Sequence, residues 1–427
     1  MSITAVFFIL VYFIGILKAF INKPIYGLYA YLFTFYMDPI SRWWGVDVPK
    51  IRWSLIAAVI TLIALVIYNR KNGKEINWFK QTETKLIFAF ALFVILQSFW
   101  ALRLDLHMEY VVLVLKFVIL MILIQNCIQD EKDLILFMMI NLGGCCYYAY
   151  LAQFTGGGRL EVVGGNALSD ANLIAQHVSV ILVMSSYLLL CKLGWKTWLI
   201  IPMLVLALNV IMKTESRAAL IAIAATGIYS LFYIPSNVKK KFLLLATLAA
   251  IAFSILMGPQ ILQRFKTMTA NEDGQGQDKS AAGKIVIINS QLDMFLDNPI
   301  LGYGHRGTLL LSPVYIPRQY HSSTGGGRAS HNLFMSLLVD HGLIGASLYF
   351  LVIWRCIRKI SMVKNISTQK NDAFRLKVLL TGLVMSLVCL MIAGLASNSK
   401  KLEIDIWLYA LIPLTATMLT KRTEKHK

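Results

Sequence analysis

The sequence predicts an all-α integral membrane protein with twelve or thirteen transmembrane helices and one large polar loop outside the membrane. Three observations carry that prediction. The 427 residues are 57% hydrophobic, the mean hydropathy is +0.65, and only 15% are charged. Such values exclude an ordinary soluble domain. Apolar runs suited to a hydrocarbon core of roughly 30 Å recur along nearly the whole chain. The exception is a polar excursion from Gly258 to Ser330.

In chain order the runs lie near residues 3–21, 24–37, 52–68, 85–102, 110–126, 134–154, 173–191, 197–212, 217–234, 242–258, 332–354, 376–396 and 403–420. The second is short and opens on Pro24, so the first two are expected to form a bent hairpin. Neither a charged leader nor a small-residue cleavage site marks the first twenty residues, which predicts a retained membrane segment. The chain divides into residues 1–258, a loop 259–330, and residues 331–427 with a basic tail.

Lys and Arg outnumber Asp and Glu by 41 to 22. Arg70, Lys71, Lys74, Lys80 and Lys85 share one connection, Lys239 to Lys241 another, and Arg355, Arg358, Lys359, Lys364, Lys370, Arg375 and Lys377 a third. With Lys421, Arg422, Lys425 and Lys427 they fall on one side when the spans alternate. The positive-inside rule makes that side cytoplasmic and the long loop external. No cysteine falls in an external loop, so no disulfide framework is expected. Cys145 and Cys146 follow Gly143-Gly144, which predicts a close helix contact.

Three external segments converge. The first runs from Gly156 to Asn172 and contains Arg159, with Asp170 or Asn172 placed to cap the next helix. In the second, Lys213-Thr214-Glu215-Ser216-Arg217, Arg217 opens a span, where a guanidinium either snorkels or meets a ligand. The third is the long loop. There Ile285, Ile288, Leu292, Phe295 and Leu296 recur at helical spacing, so a short amphipathic helix is expected on the membrane surface, its apolar stripe used for packing. Lys284 is predicted in its first turn, where the helix dipole offers a cation nothing. Beyond it come Gly302-Tyr303-Gly304-His305-Arg306 and Gly325-Gly326-Gly327-Arg328-Ala329-Ser330-His331-Asn332. His305, His321 and His331 match no metal spacing. Lys116 falls mid-span and predicts a buried charge pair, with Asp340 or His341 as partner.

These residues resemble the O-antigen ligase and polymerase superfamily, and within it the ligases associated with exosortase systems. The likeness rests on Pro24-Ile25-Tyr26-Gly27 through Asp38-Pro39 and on Thr214-Glu215-Ser216-Arg217. It continues in Asp278-Lys279-Ser280-Ala281-Ala282-Gly283-Lys284 with Asp297-Asn298-Pro299-Ile300-Leu301-Gly302-Tyr303-Gly304, and in His331-Asn332 with Gly342-Leu343-Ile344-Gly345. The resemblance implies a bacterial inner-membrane glycosyltransferase of the GT-C kind, active at the periplasmic face. Its donor would be a glycan on undecaprenyl pyrophosphate and its acceptor lipid A-core, with neither metal nor nucleotide cofactor and no nucleic-acid partner. Polymerases and protein O-oligosaccharyltransferases of the same superfamily fit the same residues. A lipid-linked glycan transporter is the reading from another class. By resemblance Arg217 and His331 are catalytic, and Arg217 and Lys284 bind pyrophosphate; Arg306, nearby in sequence, is a further pyrophosphate candidate, and Asn332, His305, Asn172 and Arg159 are additional candidate site residues. Lys284 stands where the family usually has Arg, and lysine lacks the planar fork for bidentate contact.

Overall fold

The computed structural model describes residues 1–156, 159–166, 168–256, 279–321, 327–365 and 371–424; the side chains of 279–282, 284, 364–365 and 371–372 lie outside that description. Among the described residues nine helices are long and apolar enough to cross a membrane. These are α1 (Ile3–Ile21), α3 (Trp53–Lys71), α4 (Thr82–Leu96), α5 (Leu104–Cys127), α6 (Glu131–Leu151), α7 (Ala171–Ser186), α8 (Lys196–Lys213), α13 (Leu333–Arg358) and α15 (Asn371–Gly394). Four more helices coincide with the remaining apolar runs: α2 (Ile25–Met37), α9 (Arg217–Ser230), α10 (Ser236–Leu256) and α16 (Glu403–Glu424). The long loop contributes α11 (Lys279–Asp297) and α12 (Gly307–Tyr315), and α14 (Ile360–Asn365) follows α13. The chain is an all-α integral membrane protein.

Helix α7 packs on α15, which packs in turn on α16 and α9. Helix α2 is the predicted return of a hairpin with α1 and is buried along most of its length against α1, α3 and α6. Between helices that share an apolar solvent, close approach supplies much of the association. At Gly144 of α6 a Cβ would lie 2.2 Å from the Tyr36 ring of α2, so only glycine admits that contact. The Gly143-Gly144 expectation is met at its second residue.

Two expectations are corrected here. Lys116 is exposed on the outside of α5 and interacts electrostatically with Glu403 of α16. It does not pair with Asp340 or His341, because Lys400 takes Asp340 and Gln97 takes His341 Nδ1 at 2.7 Å. A lysine's long stem lets it sit at a bundle's edge without burying its ammonium. Helix α11 also differs. It begins at Lys279, so Lys284 lies beyond its first turn, and it packs through Ile287 and Met294 against Ile316 and Val339. Gln291 joins that buried seam because its amide reaches Thr308 Oγ1 at 3.1 Å and Ser330 Oγ at 2.8 Å. Three of the five residues of the anticipated stripe, Ile285, Leu292 and Leu296, are exposed instead of packed.

Candidate active site

Helix α13 is broken at Gly342, whose φ of 61° and ψ of −169° are not helical. A break inside a bundle frees backbone groups that need partners. Residues 299–304 supply them. Tyr303 N donates to Val339 O at 3.1 Å, Gly304 N to Asp340 O at 2.8 Å, and Leu343 N to Pro299 O at 2.7 Å. The fit depends on glycine at two facing positions. Gly302 has a φ of +66°, and a Cβ there would lie 2.4 Å from Gly342 N. Gln97, at the end of α4, donates from Nε2 to Leu301 O at 2.7 Å and to Asp340 O at 2.8 Å. Through this clamp the long loop is anchored into the bundle.

The clamp sets His305 and Arg306 beside Asp340. The Asp340 Oδ2 accepts the Arg306 backbone N–H at 3.1 Å and pairs with Lys400, with both side chains buried. Burying either charge alone would cost several kcal/mol, so the pair holds the two elements together. Lys400 belongs to the connection 395–402, which is tied back by Asn332 Nδ2 to Leu395 O at 3.1 Å and by Asn398 Nδ2 to Ser336 Oγ at 2.9 Å. His305 lies flat on Tyr110, with ring centroids 4.3 Å apart, and its Nδ1 is 3.9 Å from Asp340 Oδ2. Its burial, together with Lys400 and Lys401 nearby, pushes the imidazole far below its ordinary range. His305 is therefore neutral at physiological pH. Its backbone N–H donates to His107 Nδ1 at 3.0 Å, which assigns the proton of His107 to Nε2, 2.8 Å from Val94 O.

A cavity of about 360 Å³ opens beside this cluster, with Asp170, Asn172, Arg306, His331, Lys400 and Lys401 in its wall. Asp170 is spent as the cap of α7, accepting from Asn172 N at 2.7 Å and Leu173 N at 3.1 Å. Asn172 is not a cap; its Oδ1 accepts from Arg159 Nη2 at 2.7 Å and from Ser216 Oγ at 3.2 Å. Arg159 Nε also reaches Thr214 O at 2.9 Å. One cavity residue is thus braced by the turn that precedes α9. His331 is exposed at the mouth. Lys401 has its ammonium pushed down to about 8 by partial burial and by Arg306 and Lys400. Cations gathered so closely stabilise an anion placed among them.

Residues 202–350 match the family model described as O-antigen ligase. The match supports the O-antigen ligase and polymerase superfamily, and with it a membrane glycosyltransferase-like enzyme acting on lipid-linked glycans. No curated protein matches the chain. The matched stretch runs from within α8 to within α13, so it carries Arg217, the α11 to α12 segment, His331 and the Gly342 break. The rest of the cavity's wall, Asp170, Asn172 and Leu173 on one side and Ser397, Asn398, Lys400 and Lys401 on the other, lies outside the O-antigen ligase match.

Of the residues that the sequence singles out, Asn172, His305, Arg306 and His331 meet in the cavity wall. Arg159 supports it from behind. Arg217, half-buried as the first residue of α9, follows Ser216 and is not among the lining residues. Asn332 caps α13 by accepting from Met335 N at 3.0 Å, and its amide anchors the 395–402 connection. The side chain of Lys284 lies outside the described residues, as do Gly157, Gly158, Gly325 and Gly326. Sequence reasoning missed Lys400, Lys401 and Tyr110, and it paired Asp340 with the wrong lysine. A signal existed for the lysines. They stand in a short connection on the side where the positive-inside rule expects fewer basic residues.

Proposed function

We propose that the protein is an O-antigen ligase-type glycosyltransferase that moves a glycan from undecaprenyl pyrophosphate to lipid A-core at the periplasmic face of the bacterial inner membrane. The observation that carries this reading is the convergence of Arg306, Lys400, Lys401 and His331 on one cavity, partly within the segment matched by the O-antigen ligase family. The stretch from Pro24 to Pro39 supports the branch associated with exosortase systems. Its Asp38 Oδ2 accepts from Asn166 N at 3.0 Å, and Arg42 Nη2 donates to Val163 O at 2.7 Å, so it braces the 159–166 connection behind the cavity.

In this reading the acceptor hydroxyl attacks the anomeric carbon from the face opposite the leaving group. The bond from that carbon to the pyrophosphate oxygen breaks, and the configuration inverts. Negative charge then grows on the pyrophosphate, and Arg306 and Lys401 stabilise it more in the transition state than before it. Arg217 follows Ser216, which holds Asn172 of the wall, and it is assigned to the same pyrophosphate by resemblance. His331 takes the hydroxyl proton or fixes its direction. The neutral His305, backed by the Tyr110 ring, adds a flat piece of wall without charge.

The test is transfer in membranes by Arg306→Ala and His331→Ala proteins whose insertion is verified. Loss of long glycan from lipopolysaccharide with an intact lipid-linked pool supports the ligase. Shortened polymer with normal attachment would move the assignment to a polymerase, and undiminished transfer would sink the roles given to these residues.

A further inference from the structure

The other end of the bundle holds a second cavity, of about 390 Å³, between the turn after α3, the start of α4 and the ends of α5 and α16. Lys74, Lys80 and Lys421 stand in its wall against one carboxylate, Glu75. Much of the remaining polar wall is amide, and three of these side chains have partners. Gln81 Nε2 donates to Thr417 Oγ1 at 3.0 Å, and Asn126 Oδ1 accepts from Asn77 N at 3.0 Å. Thr84 Oγ1 donates to Gln125 Oε1 at 2.7 Å. With Thr84 as the donor, the Gln125 Nε2 is buried and, among the described residues, has no acceptor. A buried donor left unpaired costs free energy unless something else accepts from it. Ile128, Leu414 and Met418 give the same cavity an apolar side.

Three cations, one spare amide donor and an apolar flank make up the recognition set of a phosphate ester at a membrane surface. We propose that this cavity binds a phosphate-bearing anion of the kind presented by the headgroup of an anionic phospholipid. Lys74, Lys80 and Lys421 hold its charge, and Gln125 donates to a phosphate oxygen. Leu414 and Met418 meet the start of the acyl region. The site shares no lining residue with the first cavity and does not depend on the transfer reaction.

The experiment follows thermal unfolding and lipid binding of the purified full chain in detergent, titrated separately with phosphatidylglycerol, phosphatidylcholine and inorganic phosphate. Phosphatidylglycerol should raise the midpoint and phosphatidylcholine should not. The K74Q/K80Q/K421Q variant should bind phosphatidylglycerol about tenfold or more weakly, as loss of charged hydrogen bonds predicts. Gln125→Leu, which keeps every charge, should weaken binding by about two- to fivefold, and it carries the test if the triple variant does not fold. Lys239→Gln with Lys240→Gln, on the exposed start of α10, should leave the response intact. If inorganic phosphate reproduces the rise with the same dependence on Gln125 and the lysines, the ligand is free phosphate and the phosphate site stands. A phosphatidylglycerol response that survives both cavity variants, or that falls equally in the α10 variant, overturns the proposal.

Discussion

Glu83 and Asp340 are both buried carboxylates, each 1% exposed at the side chain, at opposite ends of the bundle. Glu83, in the first turn of α4, sits 3.3 Å from Arg355 Nε and 3.7 Å from Lys359 Nζ, at the far end of α13. That cluster fastens two helix ends and is not in the wall of either cavity described above. Asp340 takes Lys400 and the Arg306 backbone N–H, but it faces a cavity into which Arg306 and Lys401 also bring charge. Burial makes the same demand on both carboxylates, met by Arg355 and Lys359 at Glu83 and by Lys400 at Asp340. At Glu83 the demand is met inside a packed contact. At Asp340 it gathers more positive charge than one carboxylate neutralises, and the excess opens on space large enough for a ligand.

The comparison can be broken most severely at Asp340. Asp340→Ala strands the buried Lys400 and unpins the 395–402 connection, so a loss of about 3–5 kcal/mol is expected, together with loss of transfer. Thermal unfolding of the detergent-solubilised protein and a transfer assay would measure both. His331→Ala separates the two effects, because the side chain is exposed. Transfer should fall about 10²- to 10⁴-fold, the usual worth of a positioned acid or base, with an unchanged melting midpoint. Glu83→Ala should do the reverse. Arg355 and Lys359 keep 33% and 25% exposure, so water can replace the carboxylate in part, and a stability loss of about 1–3 kcal/mol should leave transfer per folded molecule unaltered.

The smallest effect sharpens the charge argument through pH. Lys401 releases its proton at about 8 when folded, against an ordinary 10.5. Transfer should therefore decline as pH rises through about 8. Between that point and 10.5 the unfolded chain binds more protons than the folded one, so stability should rise over the same window. A pH profile of transfer beside one of unfolding would display the opposed slopes, and Lys401→Gln should flatten both. A decline in transfer that persists in Lys401→Gln would assign it to another group.

Much of the scaffold is legible in the sequence, because membrane helices are specified by near neighbours. Each apolar run has its helix, Asp170 caps α7, and Arg217 opens α9. Part of the site is legible for the same reason: Asn172 and His331 are polar groups at the borders of apolar runs, and His305 and Arg306 lie in the polar loop that His331 closes. The reading goes astray where a residue's setting depends on packing. Lys116 is a mid-span lysine in any reading of the chain, yet the helix turns it outward. The stripe on α11 obeys helical spacing, yet three of its five residues face away from the seam, where Gln291 finds Thr308 and Ser330.

Taken alone, the sequence determined that this is a multi-pass helical membrane protein with one polar excursion, and that histidine and cations border that excursion. Hydropathy and helical periodicity are local properties, and a window of about twenty residues contains them. Only the tertiary structure decided that residues 299–304 mend the break at Gly342, and that Lys400 crosses from another connection to neutralise Asp340. Both arrangements answer one demand, that buried backbone groups and buried charges find partners. Which partner is near enough depends on the order in which the helices pack. The sequence shows that the polar excursion is where chemistry has room, and the packing adds two lysines from outside the excursion to its wall.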